Sequence, residues 1–249
     1  MEKKNKQEKG TGFGDNLGWL ILYLVLYTIC SIPLVIGNTF PLDKEELKPI
    51  IIFFQNNGAL ISFILLLVLF IFVMIKKKNA LAIEFKNFKK NKKTSLIYTI
   101  FGFVAMFAIN LLLTDVIRPH LFSSSMSENQ STLATLIGDN TPIYSLIAYL
   151  LMFGILVPIL EETFCRWNFR KSFKSTIVFI IITSLIFGAL HIPSWSLSFE
   201  LFYDLFTYSS LGVCMAYIYC KTNSICSSMI MHILNNTISV FVMILPFIK

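Results

Sequence analysis

Six polar residues stand in the apolar C-terminal half of the chain at spacings that could do chemistry: Glu161, Glu162, Arg166, His191, His232 and Asn236. Charged side chains in apolar spans are costly and usually face a polar cavity or a partner, which makes them functional candidates. In Leu160-Glu161-Glu162-Thr163-Phe164-Cys165-Arg166, Glu162 and Arg166 are four apart and share a helical face, so the arginine can neutralise and orient that carboxylate. Glu161 points ~100° away on a helix and is left free. One paired and one unpaired carboxylate suit a general base, because desolvation makes the free one a better proton acceptor while its neighbour stays ionised. The structural alternative is that all three residues are solvated at the cytosolic end of a helix.

Phe187-Gly188-Ala189-Leu190-His191 closes the following apolar run, with Pro193 just beyond it. A lone histidine at a helix end is commonly interfacial, but here depth matters. In an antiparallel hairpin turning at Ser175 and Thr176, Glu161 and His191 lie at equal depth and face each other. His232 and Asn236, four apart, share a face of the last apolar run. With a turn at 222–224, His232 lies ~13 Å along its helix and Glu161 ~22 Å along its own, so the depths agree if the first hairpin protrudes by ~8 Å. The structural alternative for His232 and Asn236 is an interhelical hydrogen bond. Together the groups form an inventory for peptide hydrolysis. Glu161 and His191 can hold and deprotonate a water, and His232 and Asn236 can donate hydrogen bonds to a developing oxyanion.

The elements that must position these groups are membrane helices. The chain is 55% hydrophobic and 14% charged, against about 25% charged in soluble domains. Apolar stretches near the ~20 residues needed to cross a bilayer recur at 17–36, 51–75, 95–114, 143–170, 176–192, 201–220 and 225–247. The expected fold is all-α, a polytopic transmembrane bundle of about seven helices, six to eight if the last segment is split or re-entrant. It divides into a basic tail at 1–16, N-terminal helices and loops at 17–142, and a catalytic core at 143–249. The first run lacks a cleavage pattern and reads as a retained helix rather than a signal peptide.

The net charge of +7 is concentrated in the tail (Lys3, Lys4, Lys6, Lys9) and in an expected loop at 76–93. Both segments read as cytoplasmic, with Arg170, Lys171, Lys174 and Lys221 on the same side; the loops 37–50 and 115–142 fall outside. The lysines read as topology determinants at an anionic lipid surface, with no nucleic-acid role. The expected location is therefore the cell membrane, with a cytoplasmic N-terminus. The Lys-, Asn- and Ile-rich composition points to the cytoplasmic membrane of a low-GC bacterium. The five cysteines have neither a disulfide framework nor metal-site spacing.

The order Glu-Glu-x-x-x-Arg, Phe-x-x-x-His, His-x-x-x-Asn on three C-terminal helices resembles the CPBP family, the CAAX prenyl proteases and bacteriocin-processing membrane proteins also called Abi proteins. Residues 161–166, 187–191 and 232–236 carry that resemblance, and it covers roughly 143–240. It implies an intramembrane endopeptidase in which Glu161 and His191 activate water, Glu162 and Arg166 support them, and His232 with Asn236 forms the oxyanion hole. The implied partners are the lipid bilayer and a hydrophobic peptide or membrane-protein substrate, such as a bacteriocin leader or a pheromone undergoing maturation. Many members have Phe before the motif arginine and Gly after it, where this chain has Cys165 and Trp167. A carboxylate and imidazoles could ligate zinc, yet no His-Glu-x-x-His is present, so the metal stays open.

Other classes fit less well. Gly12-Phe13-Gly14-Asp15 and Tyr203-Asp204 mimic the two motifs of intramembrane aspartyl proteases, but in reversed order and with the first before the first span. Cys165 as a nucleophile would lie one helical turn from a carboxylate that disfavours its thiolate. The rival from another class is a non-proteolytic partner-binding protein, an immunity factor or a sensor-kinase regulator.

Overall fold

The computed structural model describes residues 12–39, 46–124 and 126–248. The tail lysines, Asp43 and Glu45 lie outside these residues. The described chain is all helical: α1 (Phe13–Thr39), α2 (Lys48–Lys90), α3 (Lys92–Leu121), α4 (Glu128–Thr135), α5 (Ile143–Ser172), α6 (Thr176–Leu190), α7 (Phe199–Thr222) and α8 (Ile225–Phe247, its last turn 3₁₀). Six are long and apolar enough to cross a membrane; α4, with 8 residues, and α6, with 15, are not. At 1.5 Å per residue α6 spans only ~22 Å. It stops because Pro193 follows closely, and the residues before a proline are pushed out of helical geometry.

The lysine-rich segment 76–93, expected as a loop, is helical. α2 runs for 43 residues and only Asn91 separates it from α3. The segment contains Lys, Ala, Leu and Glu and neither Gly nor Pro, so nothing locally stops a helix once one has formed. The extension helps to place the site. Glu84 accepts the Ile225 N–H at 2.9 Å through its carboxylate and the Ser224 hydroxyl at 3.0 Å through its carbonyl, anchoring the start of α8. An acidic group there also complements the helix dipole. Lys77 donates to Asn168 Oδ1 at 2.7 Å, tying α2 to the end of α5. The segment 115–142, also expected as a loop, contains the end of α3 and the short α4, which starts with a Ser127/Gln130 capping box.

α5 is the central helix. Phe164 stacks on Tyr23 of α1 with centroids 4.6 Å apart. Ser145 donates to Asn56 O of α2 at 3.0 Å, and Thr237 of α8 to Gly154 O at 3.1 Å. α5 widens into π-helical turns at Met152–Leu156 and Glu162–Trp167. Pro158, which has no N–H to donate, lies between them. Such wide turns frequently occur at functional sites. α6 and α7 approach closely through small residues, since a Cβ on Gly212 would lie 3.0 Å from Ser184 Cα. Outward stripes such as Ile21, Val25, Ile29 and Ile32 on α1, and Ile177, Ile181 and Leu185 on α6, remain exposed. Apolar stripes of this extent suit lipid rather than water.

Candidate active site

The paired carboxylate is completely enclosed. Glu162 and Arg166 are both 0% exposed and form the i,i+4 ion pair through Oε1 and Nη1. The other oxygen of Glu162 accepts the hydroxyl of Ser228, and Oε1 also meets His232 Nδ1 at 3.2 Å. The Arg166 guanidinium lies over the Phe187 ring, 4.5 Å from its centroid. One buried carboxylate is thus satisfied by an arginine, a serine and an imidazole from two helices, as buried charge requires.

Glu161 is left differently. Its Oε2 is buried without a hydrogen-bond partner, and the residue within ion-pair range is His232, whose Nε2 is 3.6 Å away. The expected partner was His191. α8 brings His232 between the two adjacent carboxylates, whereas His191, just past the end of α6, turns back so that Nδ1 meets Phe187 O at 2.8 Å. A carbonyl only accepts, so Nδ1 carries the proton and the neutral ring keeps its lone pair on Nε2. Phe187 lies between the histidines, 4.3 Å from the His191 ring and 5.4 Å from the His232 ring.

Asn236 lies one turn beyond His232. Its Nδ2 reaches Phe153 O at 3.4 Å, and its Oδ1 accepts from Asn235 Nδ2 at 3.3 Å. The turns were anticipated. Ser175 caps α6, accepting the Val178 N–H at 3.4 Å, and Asn223 at φ 49° makes the reversal between α7 and α8.

Two residues of the cluster were missed. Ser228 had a readable signal, since it stands four before His232 on the face that also carries Asn236. Tyr208 had none. It stacks on the His191 ring at 4.7 Å and is held through its hydroxyl by Ser127 at 2.7 Å and Asn129 at 3.4 Å, both remote in sequence.

No three His, Cys, Asp or Glu side chains among the described residues are grouped so as to hold a metal ion. The donor set does not fit a resident metal as it stands, and the steps proposed below use the chain's own groups.

Residues 143–238 match the family model of the type II CAAX prenyl endopeptidase Rce1-like proteins, and all six motif residues fall inside the match. An uncharacterized protein of Mycoplasma capricolum subsp. capricolum is 29% identical over 165 residues, 62% of this chain and 47% of that protein. The match thus spans about half the length of this curated bacterial relative. No solved structure matches the chain. The chain is therefore a multi-pass helical membrane protein whose residues 143–238 match the Rce1-like type II CAAX prenyl endopeptidase family.

Proposed function

We propose that the protein is an intramembrane endopeptidase that hydrolyses a peptide bond in a membrane-associated or exported polypeptide, with Glu161 as the general base. The observation that carries this reading is the buried Oε2 of Glu161, which has no hydrogen-bond partner and lies 3.6 Å from His232 Nε2, beside a second carboxylate that is paired with Arg166. An enzyme needs a carboxylate free to accept a proton, and the Glu162, Arg166 and Ser228 cluster keeps the adjacent charge from being that group.

A water held by Glu161 Oε2 and His191 Nε2 gives its proton to Glu161 while its oxygen attacks the amide carbon. The carbonyl π electrons move to oxygen. That oxyanion takes hydrogen bonds from His232, through Nε2–H, and from the Asn236 amide. As the tetrahedral species collapses, the C–N bond breaks and Glu161 returns its proton to the leaving nitrogen. His232 keeps its place through Nδ1–H donated to Glu162.

The test is cleavage of a fluorescence-quenched library of hydrophobic peptides by the purified protein in lipid nanodiscs, with products read by mass spectrometry. The expected result is cleavage by the wild type and none by Glu161→Gln. No cleavage by either, or equal cleavage by both, overturns the reading and leaves the partner-binding alternative.

A further inference from the structure

Directly after His191 and Ile192, the chain from Pro193 to the start of α7 is neither helix nor turn over residues 194–198. Its sequence, Ser194-Trp195-Ser196-Leu197-Ser198, alternates strictly, and Phe199 continues the alternation. A period of two is the signature of an extended strand with two unlike faces. The structure bears this out in space. Ser194, Ser196 and Ser198 all line one cavity of about 270 Å³. Trp195, Leu197 and Phe199 stand away from it, 61%, 87% and 68% exposed. Ser198 is fully extended, with φ −145° and ψ 160°.

Among the described residues, the backbone N–H and C=O groups of residues 194–197 make no hydrogen bond. An extended segment with unpaired backbone is a template for another strand. The cavity on its serine face is closed by Glu128, Glu200 and Asp204 from α4 and α7. Arg118, fully buried behind it, pairs with the last two. Hydroxyls and carboxylates call for hydrogen-bond donors, and the volume lies just below the range of small-molecule sites, which suits one or two side chains.

We propose that residues 194–198 form a docking strand to which the substrate adds as an extended polypeptide, its alternate side chains carrying donor groups into the cavity. This rests on the peptidase reading and specifies its substrate: the scissile region must be extended rather than helical. A strand of five residues covers ~17 Å, and its first residue is only three positions from His191, so a paired chain runs directly from the cavity to the water-activating group. The exposed Trp195, Leu197 and Phe199 make an apolar face of the kind that suits a membrane boundary, from which a hydrophobic chain would arrive.

The test uses Glu161→Gln protein in zwitterionic nanodiscs, so that binding is read without cleavage. The probes are fluorescent ten-residue peptides alternating valine with serine, threonine, asparagine or lysine. Each is compared with two versions N-methylated at alternate amides, one for each register. Strand pairing uses the N–H groups of every second residue, so one methylated register should lose at least tenfold in affinity while the other stays within twofold. Equal binding by both registers overturns the inference, as does binding no stronger than to empty nanodiscs, which would make the segment a lipid anchor only. Register-dependent binding by a protein whose wild type cleaves nothing would keep the docking strand and remove the peptidase. Cleavage with no register effect would do the reverse.

Discussion

The molecule contains two arginines that are essentially inaccessible, Arg166 at 0% and Arg118 at 1%, and their charges are paired in opposite ways. Arg166 pairs with a carboxylate four residues away on its own helix, and that carboxylate is itself fully enclosed. Arg118, at the end of α3, reaches two carboxylates on α7, Asp204 at 8% exposure and Glu200 at 45%, beside the serine-lined cavity. Enclosure makes the first cluster rigid and expensive to break; access to the cavity makes the second one tunable by what enters. On the peptidase reading, the comparison separates a group that would hold the proposed catalytic geometry from one that would shape the proposed place for substrate.

Breaking the enclosed pair should have the largest effect. Arg166→Met leaves the buried Glu162 without its arginine, held only by Ser228 and His232, and should cost about 3–5 kcal/mol of stability. Thermal unfolding in detergent micelles reads this directly. Glu162→Gln combined with Arg166→Met should recover most of that loss, because no lone charge is then buried. Glu161→Gln should act on the opposite quantity. It should lower cleavage by about 10²–10⁴-fold, with the unfolding midpoint moved by no more than about 2 °C. A large drop in midpoint would show that Glu161 is structural, and the contrast between neighbouring carboxylates would fail.

In the second cluster, Arg118→Met should cost about 1–3 kcal/mol, less than at Arg166, because Asp204 can draw on water from the cavity. Equal losses at the two arginines, measured by the same unfolding experiment, would erase the distinction. Glu200→Gln should be the mildest change, about 0.5 kcal/mol or less, since its ion pair is nearly half exposed. A loss of peptide binding without a loss of stability in that variant would sharpen the assignment of the cavity to substrate.

What was legible in the sequence followed from local periodicity. The apolar runs marked the helices because crossing a bilayer demands length and continuity. Glu162 and Arg166 were paired by i,i+4 geometry, and the turns beside Ser175 and Asn223 by their residue types. The lysine-rich extension of α2 was not legible, because a run of charge marks where membrane burial ends and not where the helix ends.

The polar set that suggested chemistry thus needed no tertiary information to be noticed, since carboxylates and imidazoles in apolar runs stand out by cost alone. Which imidazole meets Glu161 was a different matter. That depended on how far α8 advances beside α5, a displacement set by the anchoring of Glu84, the wide turns of α5 and the close approach of α6 and α7. Tyr208 against His191, Arg118 between Glu200 and Asp204, and the serine face of residues 194–198 likewise arise where distant segments meet. Local spacing fixes which groups share a helix face, while the choice of partner across helices is made by packing.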